Sequence, residues 1–215
     1  MRSHLVRSAA GSRGTGANHT LAMGNVAVRP VSRELWPALE DLFGRAGASN
    51  GCWCMYWILG AEYHKRPREE NKATLRREAI EGAAPGLLAL DQTGRAVGWC
   101  RLTPRAALAW LNHRRDLAPV DELPVWSVPC FYVRRGFRGR GLMSSLIDAA
   151  VDHAREAGAP ALEAYPVDTS VPGRTRNVFP GTVPAFTRAG FTVVARRRPD
   201  RPIMRRYLRC EDGVR

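Results

Sequence analysis

The chain reads as one α/β domain, a mixed central sheet with helices on both faces. Three observations predict it. Runs of β-forming residues alternate with runs whose apolar residues recur every three to four positions. Gly and Pro clusters punctuate the two kinds of segment. One strongly amphipathic stretch lies between two short β-type runs, as a crossover helix joining neighbouring strands would. A length of 215 residues suits one domain with a tail. Residues 1–25 are expected to be a disordered N-terminal tail, 26–209 the domain and 210–215 a short C-terminal tail.

The tail has three Arg, no acid and no continuous apolar core, so it does not read as a secretory signal. Met23 is an alternative start. The domain opens with a strand over Val26–Val31. Ser32 is placed to cap a helix in which Leu35, Leu39, Leu42, Phe43 and Ala46 share a face. Gly47 and Gly51 break it. The run from Cys52 to Leu59 is unusually aromatic, and a second helix extends from Pro67 to Glu81. Gly86–Asp91 and Ala96–Leu102 form a hairpin around Gln92-Thr93-Gly94. A short helix near Ala106–Trp110 precedes a strand over Trp126–Val133. Leu142, Leu146, Ile147, Ala150, Val151 and Ala154 line one face of the best helix, which Gly158 stops. Ala161–Tyr165 is a strand, Pro184–Ala189 a short helix, and Phe191–Ala195 and Ile203–Leu208 the closing strands.

Hydrophobic residues make up 45% and charged residues 25% of the chain, a balance that supports a packed core rather than disorder. No apolar run approaches the ~20 residues that span a bilayer, so no membrane partner is expected. The net charge of +13 needs a reason, and nucleic acid, an anionic membrane or a phosphate-bearing cofactor would each supply one. Five cysteines without regular spacing argue against a disulfide framework. Cys52-x-Cys54 lacks the spacer of a zinc knuckle and has no matching second pair, so no metal is expected. Reduced thiols in the cytoplasm are the better reading.

The most informative segment runs from Val128 to Leu142. A strand enters a loop dense in Gly and Arg, and Arg138-Gly139-Arg140-Gly141 opens the amphipathic helix. A helix N-terminus presents unpaired N–H groups and partial positive charge, and glycines let the backbone approach an anion closely. The loop is therefore a phosphate cradle. It is neither a P-loop nor a dinucleotide fingerprint, since GxxxxGK[ST] and GxGxxG are both absent.

This segment resembles motif A of the GNAT N-acetyltransferase superfamily, R/Q-x-x-G-x-G/A, as Arg138-x-x-Gly141-x-Met143. Met143 departs from the usual small residue. The element order also matches that superfamily, and Phe186-x-x-x-Gly190-Phe191 resembles its late helix-to-strand corner. The Cys52–Trp57 run is similar to one in a bacterial branch of the family. The resemblance implies a GNAT-like acyl-CoA N-acyltransferase fold and acetyl-CoA as cosubstrate. It implies that Phe131, Tyr132 and Val133 hold the pantetheine arm through backbone groups. It places the pyrophosphate on the amides of Arg138, Gly139, Arg140, Gly141, Leu142 and Met143. The strands around Val128–Val133 and Ala161–Tyr165 would splay to admit the thioester.

The implied reaction is direct attack by a primary amine of a small molecule or peptide. An ordinary amine with a pKa of ~10.4 is under ~0.1% neutral at pH 7, so a base is needed. The Val133 N–H is a candidate oxyanion donor. Many family members use a Tyr on the late helix as acid, but Phe186 stands there. Glu163 is the leading base and Tyr165, on the same strand face, the nearest acid. Trp53, Tyr56 and Trp57 suggest an aromatic acceptor wall, or core packing. Asp41, Glu69 and Glu70 are candidates to attract a cationic amine. The alternative is a module of the same fold that senses acyl-CoA or binds nucleic acid without turnover, which Phe186, Met143 and Arg196-Arg197-Arg198 favour. No nucleic-acid motif appears, so such a partner is not expected. A homodimer is one assembly open to the chain.

Overall fold

The computed structural model describes residues 19–21, 26–82, 84–173 and 178–208. Its elements are β1 (His19–Leu21), β2 (Val26–Pro30), α1 (Trp36–Phe43), α2 (Tyr56–Leu59), α3 (Arg68–Ile80), β3 (Gly86–Leu90), β4 (Ala96–Pro104) and α4 (Ala109–His113). There follow β5 (Trp126–Val133), α5 (Leu142–Glu156), β6 (Ala161–Ala164), α6 (Val183–Arg188), β7 (Thr192–Ala195) and β8 (Ile203–Tyr207). The strands form one sheet in the order β1-β2-β3-β4-β5-β6-β8-β7. Among the described strands only β5 and β6 pair in parallel, and α5 is the crossover between them. None of the described helices is long and apolar enough to cross a membrane.

Two departures from the sequence reading concern the N-terminal side. His19–Leu21 pairs with β2, so these three residues are a strand and not tail. The rest of residues 1–25, and 209–215, lie outside the described residues. Ser32 does not cap α1. Its hydroxyl donates to Glu34 at 2.6 Å, and the helix begins at Trp36 with Pro37 in its first turn.

The sheet separates two apolar layers. On one face α5 buries Leu146, Ile147, Ala150 and Ala154 against Leu87, Ala89, Val97 and Val128. On the other, α1 and α3 bury Leu39, Phe43 and Leu75 against Leu88, Leu90 and Trp99. Alternation along β3 makes this possible, because successive side chains serve opposite faces and the whole strand is buried. Each fully buried Leu contributes about 1.5–3 kcal/mol relative to exposure.

Two features of β5 set up the site. Against β4, Arg101 pairs with Cys130 and Thr103 with Ser127, so Val128 and Pro129 together stand opposite Leu102. This is a β-bulge. It resets side-chain parity. Ser127 and Cys130 face the α1 side, while Val128 and Phe131 pack with α5. Against β6, only Trp126 and Ser127 find partners, Leu162 and Glu163. Beyond the bulge the two strands part, as the splay reading expects.

Candidate active site

The parting of β5 and β6 lies beside the N-terminus of α5. Gly141 is the N-cap, with φ +79°, in the left-handed region that favours glycine. No side chain caps this helix and its first turn holds no acid. The first amides of α5 therefore stand where an anion would sit, and they fit a phosphate group. A groove of about 690 Å³ runs past them, between β5 and the segment carrying Val178 and Phe179. Phe131, Tyr132, Val133, Arg138, Gly139, Gly141, Leu142 and Met143 all line it. Arg140 does not; its guanidinium lies over the Phe137 ring. Arg188 adds a cation at the rim.

The backbone of β5 divides the expected contacts. Arg134 N donates to Val97 O at 2.9 Å, and the same ladder pairs Tyr132 with Trp99. Tyr132 therefore spends its backbone groups on β4, and only its side chain faces the groove. Phe131 and Val133 turn their amides to the open side. The Phe131 amide donates to Phe179 O at 2.7 Å, so the 178–181 segment already occupies it. The Val133 carbonyl accepts from Arg138 Nε at 3.0 Å. The Val133 amide remains directed toward the gap between the strands.

A second cavity, of about 460 Å³, opens on the α1 side of β5. It shares Ala48, Ser49, Phe131, Tyr132 and Phe179 with the groove, so the two are continuous. Tyr56, Trp57, Tyr63 and Trp99 give it aromatic walls, and Cys52, Cys54 and Cys130 add three thiols. Trp53 is not part of the wall. It stacks on Trp36 beneath the surface, where Gly47 leaves room for its indole. Nor do Asp41, Glu69 or Glu70 line the cavity; Asp41 pairs with Arg134 at 2.6 Å and Glu70 with Arg66 at 3.2 Å.

The 44–55 connection that forms one side of this cavity is strained. Ala48, Asn50, Trp53 and Cys54 all have positive φ, between 43° and 66°. Such conformations cost about 1–3 kcal/mol each and cluster at functional sites. Buried Asn71 of α3 pins the connection by donating to Gly51 O at 2.9 Å and Tyr63 O at 3.0 Å. Within the wall, Trp99 Nε1 donates to Cys54 Sγ at 3.4 Å. A hydrogen bond from the Cys130 thiol, and then the charge of Arg101 against the opposing effect of burial, pulls Cys54 down to about 7. Burial holds Cys52 up at about 11. Arg101 is buried on the same face of β4 and bonds Glu78 at 2.7 Å.

The expected acid and base lie elsewhere. Glu163 is fully buried and held by two arginines, Arg105 at 2.8 Å and Arg205 at 2.7 Å. Tyr165 is equally buried; its hydroxyl meets Arg105, Ser127 and Glu163 within 3.0 Å. Burial pushes that hydroxyl well above the usual phenol range, with Glu163 adding to it. Neither side chain lines the groove or the aromatic cavity. Phe186 is buried in the α5 layer against Phe131 and Phe191. Arg196, Arg197 and Arg198 are also accounted for internally. They bond Asp168, the Ala118 carbonyl and the Asp116–Asp200 pair.

The family model of the Acetyltransferase (GNAT) family matches residues 52–174. The chain belongs to the GNAT acetyltransferase family. The GNAT match spans the aromatic run, β5, the glycine loop and α5, which together build the groove. Membership makes acetyl transfer the activity class of this chain. Among solved structures, a GNAT-family acetyltransferase of Listeria monocytogenes is 15% identical with a TM-score of 0.57, over 89% of this chain and 100% of that one. YncA of Salmonella typhimurium, solved with acetyl-CoA, is 17% identical with a TM-score of 0.52, over 88% and 98%. The PaiA N-acetyltransferase of Thermoplasma acidophilum, in complex with coenzyme A, is 14% identical with a TM-score of 0.50, over 85% and 99%. These likenesses show the fold. No curated protein sequence matches the chain.

Sequence reasoning missed the bulge, the Arg105 and Arg205 clamps, and the Phe179 strap. Pro129 was the available signal for the first, since a proline inside a central strand marks a bulge. Nothing local announces the others.

Proposed function

We propose that the protein transfers the acetyl group of acetyl-CoA directly to a primary amine, which enters from the aromatic cavity and meets the thioester where β5 and β6 part. The observation that carries this is the continuity of two differently built spaces. A glycine-and-arginine groove at an uncapped helix N-terminus suits a pyrophosphate, and an apolar cavity joins it at Phe131 and Tyr132. The pantetheine arm would run along β5 and the carbonyl oxygen would take the Val133 amide. Attack forms the C–N bond, the C–S bond breaks, and CoA leaves as thiolate to be protonated by the acetylated nitrogen's proton through water. Free thiols at Cys52, Cys54, Cys100 and Cys130 suit a reducing cytoplasm.

Proton removal from the amine is assigned here to neither Glu163 nor Tyr165, because arginines and burial hold both away from the cavity. Phe186 and these placements favour a second reading, acyl-CoA binding without turnover. One experiment separates them. Acetyl-CoA should raise the melting temperature, by the equivalent of about 2.7 kcal/mol at 100 times its Kd. Thiol release with a panel of amines should follow. Binding without release from any amine supports the sensing module, and no binding removes both readings.

A further inference from the structure

The acceptor cavity holds a negative result of chemical consequence. Among the described residues that line it, none is Asp, Glu, Lys, Arg or His. Its polar side-chain groups are hydroxyls, one amide, thiols and the indole N–H groups of Trp57 and Trp99. The groups there that can titrate are Cys52, Cys54, Cys130, Tyr56, Tyr63 and Tyr132. Burial and then Cys54 hold Cys52 up, the hydrogen bond with Cys54 and then burial hold Cys130 up, and burial does so for Tyr63. Among the thiols Cys54 alone is drawn down, by a hydrogen bond from Cys130 and by Arg101. Arg101 stands behind it in the wall and is itself paired with Glu78 at 2.7 Å. The Cys54 sulfur is buried and accepts from Trp99 Nε1 at 3.4 Å, so it is engaged within the wall and not free to neutralise a ligand.

Two consequences follow for an amine that enters. Desolvation without a counter-charge disfavours an ammonium ion, so a single amine sheds its proton on the way in and arrives as the nucleophile. That serves catalysis in a site without a carboxylate base. A second ammonium elsewhere on the same molecule has no such outlet. It would remain buried, charged and unpaired, which is costly. Aromatic faces attract cations, but they do not replace a carboxylate once water is removed. The volume and the rings at Tyr56, Trp57, Tyr63 and Trp99 match a flat apolar body.

We infer that the acceptor is a monoamine carrying an apolar, ring-sized body, and that amines bearing a second positive charge are excluded. This rests on the acetyl-transfer reading above and narrows its substrate class.

The test measures thiol release from acetyl-CoA with 2-phenylethylamine and tryptamine on one side and spermidine and free lysine on the other. The expected kcat/KM is at least 100-fold higher for the aromatic monoamines. Asn50 lines the cavity in the left-handed region that Asp also tolerates, so Asn50→Asp adds one carboxylate with little change of shape. It should narrow the ratio of phenylethylamine to spermidine at least fivefold. Spermidine or lysine turned over within tenfold of the aromatic amines would overturn the inference while leaving acetyl transfer intact. So would an Asn50→Asp variant, folded by circular dichroism, whose ratio does not move. A protein that binds acetyl-CoA by calorimetry but acetylates none of the four fails at the level of the parent reading, and the inference falls with it.

Discussion

Trp57 donates its Nε1–H to the carbonyl of Pro129 at 2.9 Å, bonding the wall of the aromatic cavity to the bulge where β5 leaves β6. The two residues are 72 positions apart, and both are buried at this contact. A carbonyl freed from its ladder by a bulge needs a donor, and the indole supplies it.

Trp57→Phe keeps most of the ring and removes the donor. The orphaned carbonyl should cost roughly 1–3 kcal/mol, seen as a fall of several degrees in Tm. KM for the amine should rise as the bulge relaxes. A variant as stable as the parent would show that Pro129 finds another donor.

Glu163→Gln leaves Arg105 and Arg205 facing a neutral amide in the interior. Removing one partner of a buried pair typically costs about 3–5 kcal/mol, so chemical denaturation should report a loss of that order. The folded enzyme should keep its turnover within a few-fold and the acidic limb of its pH–rate profile. A drop of 10²–10⁴ in kcat at unchanged stability would instead make Glu163 the general base.

Gly141→Val places a branched residue at φ +79° and beside the first amides of α5. The strain and the lost approach to phosphate should weaken coenzyme A at least tenfold, about 1.4 kcal/mol, by calorimetry. Normal affinity in a folded variant would put the pyrophosphate elsewhere.

Thiol chemistry should discriminate within the cavity wall. Cys54 is drawn down to about 7 but buried, and Cys52 is held at about 11 but half-buried, so iodoacetamide that enters the cavity at pH 7.5 should label Cys54 ahead of the more exposed Cys52, as read by peptide mass spectrometry. Prior addition of an aromatic monoamine should slow it. Earlier labelling of Cys52 would mean that access and not ionisation governs these thiols.

Acid should loosen the loops around α4 and β8. Arg114 holds Asp116 below the usual carboxylate range, Arg205 does so for Asp121, and the Ser170 hydroxyl and then Arg196 do so for Asp168. A depressed folded pKa adds stability above the unfolded value, near ~3.9, which is lost as pH falls through the folded value. Urea midpoints should therefore be flat from pH 6 to 5 and fall below about pH 4. An unchanged midpoint at pH 3 would mean that these pairs contribute nothing.

Apolar periodicity carried α1 and α5, and β-forming runs between turn residues carried most strands, because burial on one face writes itself into the local pattern; the polar α3 and the short α2 carry little of that signal. The turn from β5 into α5 at Gly141 was legible for a similar reason: strand, glycines and helix are contiguous. The Glu163 cluster was not. Its partners lie 58 and 42 residues away, and a carboxylate beside a tyrosine on one strand reads equally as chemistry or as an ion pair. Trp53 and Trp57 are similar in sequence context, yet one is packed beneath α1 and the other lines the cavity. Only the path of the strained connection between them separates the two.

The bulge at Val128 and Pro129 has a consequence for how the chain tolerates change in length. The two residues opposite Leu102 amount to one extra position in the strand. Deleting either would restore plain alternation, with Ser127 and Cys130 two positions apart and still on the α1 side and Phe131 still in the α5 layer. The lining of the aromatic wall would survive the loss of one codon here. The same loss between Cys130 and Val133, where the ladder is regular, would turn the residues beyond it to the opposite face.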